Sequence, residues 1–245
     1  VYAVPTTAGT GSEATPYSTV WDDEHRKKYS LAGPAVFPYA AIVDPALTDE
    51  LPWEITLTTG LDAIDQALES VWNHNATTVT LGLAAQALRL ALRALPRINA
   101  GTNEQTDRDD MAEGSLLSGL AISQTRTALC HSISYPLTSH FGVPHGLACA
   151  FTMLDVFKLN RPFDDGRFKQ LAQRVGCKSV PDLEEKLSAL IHELGVAQRV
   201  RSFIPSLEAL KELSSDMYTP GRADNNLAPV DEEEIGRLLE CAYSR

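Results

Sequence analysis

Hydrophobic and polar positions follow two different rhythms along this chain. In the first 48 residues, apolar runs at 1–4, 17–21 and 40–45 are separated by glycine, proline and charged clusters. Short apolar runs bounded in this way are typical of β-strands. A charged turn is expected over 22–28, followed by a further strand at 29–31.

From residue 48 onward, the apolar residues recur with the period of an α-helix. Thr48 and Asp49 are expected to cap a short helix before Trp53, and Pro96 and Pro136 to end two longer helices. The predicted helices span 61–72, 78–95, 107–122, 126–137, 145–159, 163–175, 180–194, 207–213 and 230–242.

The predicted fold is therefore mostly α. Residues 1–48 form a remnant of an α/β domain, and residues 49–245 form a helical domain. A segment as short as 1–48 cannot bury a core of its own, so we expect it to pack on the helical domain or on segments outside this sequence.

Composition narrows the choice of partners. The chain of 245 residues carries a net charge of -11, which disfavours a nucleic-acid partner. The longest apolar stretch, 81–95, contains Gln86, Arg89 and Arg93, so no membrane span is expected, and no secretory signal is recognised. The four cysteines form no CxxC pair, which favours the reducing cytoplasm.

Four residues suggest metal binding. Asp62 and Gln66 are four positions apart and project from one face of the predicted first helix. His131 and His145 follow later in the chain. A carboxylate and two imidazoles suit Fe²⁺ or Zn²⁺. By spacing alone, such residues are more often a solvated acidic helix face and hydrogen-bonded structural histidines than a metal site.

Three segments, PTTAGTGSEAT, GLDAIDQALES and HSISYPLTSHFGVPHGLA, occur in the order found in the iron-containing (group III) NAD(P)-dependent alcohol dehydrogenases, and the chain resembles that family. The resemblance implies a dehydroquinate synthase-like helical metal domain after an α/β nucleotide-binding domain, most of which would precede residue 1. It also implies Asp62, His131 and His145 as ligands of Fe²⁺ or Zn²⁺. Gln66 stands where the family has a histidine ligand, and we keep it as a fourth candidate.

The same resemblance implies a site for NAD(H) or NADP(H). The small, hydroxyl-rich turn after the first strand would lie along the nicotinamide and diphosphate. Lys28 matches a family lysine that contacts the nucleotide, although it fits a solvated turn equally well. The nucleotide-contacting residues of the turn would be Thr6, Thr7, Gly9, Thr10 and Gly11.

The segment TRTALCHSISYPLTSHFGVPHGLAC, together with Gln66, resembles the phosphonoacetaldehyde reductase branch of the family. Arg126 would lie about one and a half helical turns before His131, where it could clamp an anionic substrate or form a structural salt bridge. Tyr135 stands where many members have a histidine near the nicotinamide, and it could relay a proton.

The expected reaction interconverts a small aldehyde and a primary alcohol in the cytoplasm, with a phosphonate group on the aldehyde as the sharper hypothesis. A homodimer is left open. Two alternatives stand beside this function: a dehydroquinate synthase-like lyase on the same fold, and a member of the family that has lost catalysis.

Overall fold

In the computed structural model, residues 1–22, 24, 27–102 and 104–245 are described, without the side chains of Trp21, Lys27 and Lys28. The four strands of this part are β1 (Tyr2–Ala3), β2 (Tyr17–Asp22), β3 (Lys27–Ala32) and β4 (Ala40–Ala41). Its ten helices are α1 (Trp53–Glu69), α2 (Thr78–Asn99), α3 (Gln105–Thr125), α4 (Leu129–Phe141), α5 (His145–Asn160), α6 (Arg167–Val175), α7 (Val180–Glu193), α8 (Val196–Arg201), α9 (Leu207–Lys211) and α10 (Glu232–Ser244).

The strands of the first 48 residues form two small pairs. β1 runs parallel to β4, and β2 pairs with β3 as an antiparallel hairpin in which Tyr17 lies opposite Ala32. The predicted strands are therefore confirmed, whereas Asp23, His25 and Arg26 of the predicted charged turn lie outside the described residues. In the described part of this segment Ala8 is the one buried apolar side chain, so the segment has no core of its own.

Two glycines let the N-terminal segment dock on the helices. A Cβ on Gly9 would lie 2.5 Å from the Cβ of Thr59 in α1. A Cβ on Gly11, which has a φ of 57°, would lie 2.5 Å from the Cα of Gly119 in α3. Backbone approaches as close as these exclude any side chain. The turn that follows β1 is thus fitted to the helical domain.

Helix α1 lies at the centre of the helical domain, where it contacts α2, α3, α4 and α5. Leu57, Leu61 and Leu68 on this helix are fully buried. The helix begins at Trp53, eight residues before the predicted start at 61, because Gly60 does not interrupt it. A Cβ on Gly60 would lie 3.0 Å from the side chains of Leu95 and Met111, so tight packing explains this glycine.

Two further helices run past a proline that we expected to end them. α2 continues through Pro96 to Asn99, and α4 includes Pro136. By length and composition α2 could cross a membrane. However, 61% of its apolar 18-residue stretch is buried inside the protein, as in the core helix of a bundle. Packing against neighbouring helices offsets the hydrogen bond that each proline removes.

The prediction for the helix over 126–137 was wrong at its start. Arg126 is the residue that ends α3, with a φ of 64° and a ψ of 174°, and α4 begins three residues later. Among the described residues it is the one non-glycine with positive φ. Its carbonyl accepts hydrogen bonds from Asn73 Nδ2 and Thr125 Oγ1, which hold this uncommon backbone conformation. α8 was not predicted.

Candidate metal centre

Three helices bring four potential metal ligands together. Asp62 comes from α1, His131 from α4, and His145 and Cys149 from the first two turns of α5. One ligand atom from each of the four lies within 4.8 Å of the others. His145 is half-buried and the other three are buried. The three ligands that the family resemblance implied therefore converge, although they are up to 83 positions apart in the sequence.

A glycine makes this convergence sterically feasible. Gly146 follows His145 at the start of α5, and a Cβ on it would lie 1.8 Å from the carbonyl oxygen of Thr58 and 3.0 Å from the Cβ of Asp62. No side chain fits into such a space. The His-Gly pair thus allows the first turn of α5 to lie directly against the turn of α1 that carries Asp62.

The donor atoms have the spacing and chemistry of a cation site. Asp62 Oδ1 lies 3.4 Å from His131 Nε2, and Cys149 Sγ lies 3.8 Å from His145 Nε2. The rings of the two histidines are 5.3 Å apart. Apart from this long approach of His131 Nε2, buried Asp62 Oδ1 has no hydrogen-bond partner among the described residues, which is costly for a carboxylate oxygen. A bound cation would satisfy it.

Electrostatics at the cluster favour an ionised carboxylate. Burial would raise the pKa of Asp62, but hydrogen bonding to His131 and the charges of both histidines hold this pKa below its usual value. Burial lowers the pKa of His131, yet Cys149, Glu69, Asp62 and Asp65 together raise it well above the usual value. Burial raises the pKa of Cys149 to about 11. Because the same donor atoms bind protons or a cation, metal binding here releases protons.

Glu69 holds the ring of His131 at Nδ1, the nitrogen that does not face Asp62. The Glu69 carboxylate accepts hydrogen bonds from the backbone N–H groups of Ala128 and Cys130, both at 2.6 Å, and so caps the N-terminus of α4. Its Oε2 also lies 2.8 Å from His131 Nδ1. A proton held on Nδ1 leaves Nε2 free to face Asp62. We did not predict this role, although Glu69 lies seven positions after Asp62, on the same helical face.

Asp65 lies on the same side of His131 as Glu69. Its Oδ2 is 3.1 Å from His131 Nδ1, so it does not take the place of Asp62 at the metal-facing nitrogen. From the sequence, Asp65 was expected to be a poorer substitute for the missing histidine than Gln66, because it points about 100° away from Gln66 around the helix. Burial, together with the charge of Glu69, raises the pKa of Asp65 to about 7.

The second histidine, His145, is positioned by Ser134. Ser134 Oγ donates to the carbonyl oxygen of His131 and lies 3.4 Å from His145 Nδ1. Cys149 Sγ lies at nearly equal distances from the two ring nitrogens of His145, 3.9 Å from Nδ1 and 3.8 Å from Nε2. A proton held on Nδ1 by Ser134 would leave Nε2 as the donor for a cation.

Comparison with known proteins decides the family. A C-terminal model described as "Fe-containing alcohol dehydrogenase family, C-terminal" matches residues 56–243, and a model described as "Iron-containing alcohol dehydrogenase" matches residues 1–45. The chain belongs to the iron-containing alcohol dehydrogenase family. The resemblance found in the sequence, and with it the mostly α fold, is confirmed, whereas the domain boundary at 48 stays a prediction.

Individual members of the family are similar over almost the whole chain. Phosphonoacetaldehyde reductase of Streptomyces viridochromogenes is 36% identical over 98% of this chain and 62% of its own length. 1-Propanol dehydrogenase PduQ of Salmonella typhimurium is 35% identical over 97% of this chain and 68% of its own. The structure of sulfoacetaldehyde reductase from Bifidobacterium kashiwanohense with NAD+ superposes with a TM-score of 0.88 at 31% identity, over 99% of this chain and 64% of that one. The chain thus spans less than two thirds of the first of these relatives.

At the position of the family's histidine, Gln66 is engaged elsewhere. Its Oε1 accepts a hydrogen bond from Ser118 Oγ of α3 at 3.2 Å, and its side chain also hydrogen-bonds to Asp62. The amide therefore steadies Asp62 and ties α1 to α3. Its role as a metal ligand stays a prediction.

Beside the cluster, Tyr135 connects His145 to Arg222, and Arg126 lies close to Arg222. The tyrosine ring stacks on His145, with centroids 6.2 Å apart and planes at 15°, and its hydroxyl accepts a hydrogen bond from Arg222 Nε at 3.1 Å. Arg126 is exposed and forms no ion pair with any described residue. Its guanidinium lies beside Gly221, next to Arg222. Arg222 was not predicted, since it is 87 positions from Tyr135 and belongs to no recognised motif.

The predicted nucleotide-contacting turn divides into two faces. Gly9 and Gly11 are buried against α1 and α3, whereas Thr6 and Thr10 are exposed and Thr7 is half-buried. Thr10 Oγ1 accepts a hydrogen bond from the backbone N–H of Ser12. The side chain of Lys28 lies outside the described part of the chain. Nucleotide contact by these residues stays a prediction.

Proposed function

We propose that this chain forms the metal-binding catalytic part of an NAD(P)H-linked oxidoreductase that interconverts a small aldehyde and a primary alcohol. The observation that carries the proposal is the convergence of buried Asp62 and His131 with half-buried His145. These residues fit Fe²⁺ or Zn²⁺, since each offers an oxygen or imidazole donor. When bound, the cation supplies a Lewis acid for the substrate oxygen, and the nicotinamide supplies the hydride.

The protein's own residues position the reacting groups. Glu69 fixes the ring of His131, and Ser134 supports that of His145, so the cation site is preorganised. The hydroxyl of Tyr135, held by Arg222 beside His145, is placed to pass a proton to the alkoxide that forms on reduction.

The substrate is proposed to carry an anionic group, for which a phosphonate is the leading candidate. Two of the similar proteins are named for phosphonoacetaldehyde and sulfoacetaldehyde, which are aldehydes with an acidic group. Arg222 next to Tyr135, and Arg126 across Gly221, form a cationic edge beside the cluster. Guanidinium groups suit bidentate binding of phosphonate or sulfonate. On this proposal the protein acts in phosphonate metabolism in the cytoplasm.

Nicotinamide absorbance tests the function in the protein expressed from its complete gene. His145→Ala should abolish aldehyde-dependent oxidation of NADH or NADPH, because the cation loses an imidazole ligand; His192→Ala on α7 serves as the control. Turnover retained in His145→Ala would refute the proposed site. A lyase that uses its nicotinamide transiently would show no net oxidation, and a chain without catalysis would show none with any aldehyde.

The same assay tests the anionic group. Arg126→Ala and Arg222→Ala should each raise KM for phosphonoacetaldehyde by about 10- to 100-fold, the cost of a lost charged hydrogen bond, and should change KM for propanal far less. An equal effect on both aldehydes would show that the arginines do not bind the anionic group.

A further inference from the structure

Cys149 lies at the metal cluster, one helical turn after His145, and the family resemblance assigns it no role. We infer that Cys149 is the fourth protein ligand of the cation, so that a thiolate replaces the histidine found in the family where this chain has Gln66. The inference rests on the proposed function for the existence of the cation. To that function the inference adds the identity of the fourth ligand, and this ligand determines which metal the site prefers.

The geometry of the sulfur supports this role. Cys149 Sγ lies 3.8 Å from His145 Nε2 and within hydrogen-bonding reach of His131. In a tetrahedral zinc site with bonds of about 2.0–2.3 Å, neighbouring ligand atoms are roughly 3.3–3.8 Å apart. The separations of 3.4 Å between Asp62 and His131 and of 3.8 Å at the sulfur are close to this range. All four ligand atoms lie within 4.8 Å of one another, so small side-chain adjustments would bring them around one ion.

The surroundings of the sulfur are unlike those of a structural cysteine. A buried free cysteine usually behaves as a small apolar side chain among other apolar groups. Cys149 is buried, but its sulfur faces Asp62, His131 and His145. The matched comparison is Cys177, which is buried outside the cluster at the end of α6. Its sulfur is not part of any metal-ligand group found among the described residues.

Gln66, the alternative fourth ligand, is already hydrogen-bonded to other side chains. Gln66 accepts a hydrogen bond from Ser118 through its carbonyl oxygen and hydrogen-bonds to Asp62. A cation bound through that oxygen would compete with the hydrogen bonds to Ser118 and Asp62 that hold the amide at a buried site. Cys149 needs no such exchange, because its sulfur is already directed at the cluster.

A thiolate changes the metal preference. Two imidazoles, a carboxylate and a thiolate form a softer donor set than three imidazoles and a carboxylate. Thiolate ligands favour Zn²⁺, and Zn²⁺ also binds more tightly than Fe²⁺ to most nitrogen and sulfur sites. The site is therefore assigned to zinc, within the choice of Fe²⁺ or Zn²⁺ that the other three ligands leave open.

The test measures the metal–sulfur bond directly. X-ray absorption at the zinc edge of the unaltered, zinc-loaded protein should show one sulfur neighbour at about 2.3 Å. After the metal is exchanged for Co²⁺, a sulfur-to-cobalt charge-transfer absorption should appear, be lost in Cys149→Ser and persist in Cys177→Ser. A zinc environment of nitrogen and oxygen alone, or an absorption that survives in Cys149→Ser, would overturn the inference.

Affinity provides a second readout. Cys149→Ser should weaken Zn²⁺ binding by more than the 10- to 100-fold that loss of an outer-shell partner costs. Gln66→His in the Cys149→Ser background should recover binding without the charge-transfer absorption, since it restores the family's ligand. An unaltered protein that binds neither Zn²⁺ nor Co²⁺ would refute the proposed function as well. One that binds them without a sulfur signal would refute only the role of Cys149.

Discussion

The helical metal cluster and the N-terminal segment 1–48 are stabilised in opposite ways. Around the cluster, carboxylates, thiols and one imidazole are buried, the second imidazole is half-buried, and all belong to one polar network between α1, α4 and α5. In the N-terminal segment many large apolar side chains are exposed, as for Tyr39 at 81%, and the turn after β1 meets the helices through the backbone of Gly9 and Gly11. Single substitutions at the cluster should therefore lower the free energy of unfolding strongly, whereas substitutions on the exposed side of the N-terminal segment should change it little.

The largest effect is expected from removing the carboxylate of Glu69. Glu69→Ala leaves two backbone N–H groups without their acceptor and removes the nearer of the two carboxylates at Nδ1 of buried His131. Breaking one side of a buried charged network costs about 3–5 kcal/mol. Urea unfolding of the chelator-treated protein should show this loss. Glu233→Ala, which removes an exposed helical ion pair with Arg237, should change the free energy of unfolding by less than about 0.5 kcal/mol. Equal losses in the two variants would show that the network is not stabilising.

A smaller effect is expected where α5 meets α1. In Gly146→Ala the new Cβ would overlap the carbonyl oxygen of Thr58, so the helices must separate. Overpacking of this kind typically costs about 1–3 kcal/mol, and the shift should also weaken Zn²⁺ binding. The control is Gly236→Ala in α10, where a Cβ meets nothing within 4 Å. It should stabilise the helix by about 0.5–1 kcal/mol. Thermal unfolding and zinc titration of both variants measure the contrast, and unchanged zinc affinity in Gly146→Ala would count against the close approach.

The smallest effect is expected on the exposed side of the N-terminal segment. Tyr39 contacts Tyr2 edge-on, with ring centroids 5.4 Å apart, and both rings are exposed. Tyr39→Ser should therefore change the free energy of unfolding by less than about 0.5 kcal/mol, and Tyr2→Ser should behave alike. Urea unfolding of both variants checks this. A loss of several kcal/mol would mean that these side chains belong to a core, and the contrast between the two regions would be wrong.

Much of the fold follows from local sequence patterns. The strands of the first 48 residues and all nine predicted helices appear at or near their expected places, because side-chain periodicity reflects which face of an element is buried. The errors occur where packing overrides local preference. Gly60 and Pro96 lie inside helices, since neighbouring side chains hold the backbone there. Arg126 leaves the helix that its neighbours favour, because Asn73 binds its carbonyl oxygen.

The same distinction between local sequence patterns and packing applies to the residues of the candidate site. The sequence by itself identified Asp62, His131 and His145 as ligand candidates, because the chemistry of these residue types and their order in the motifs are local properties. Tertiary structure alone decided that Glu69 supports His131 and that Arg222 reaches Tyr135. It also decided that Cys149 faces the cluster. These relations join residues on different helices, or one side chain to groups brought in by others. No periodicity along a single chain encodes them; the distances exist only once the helices have packed.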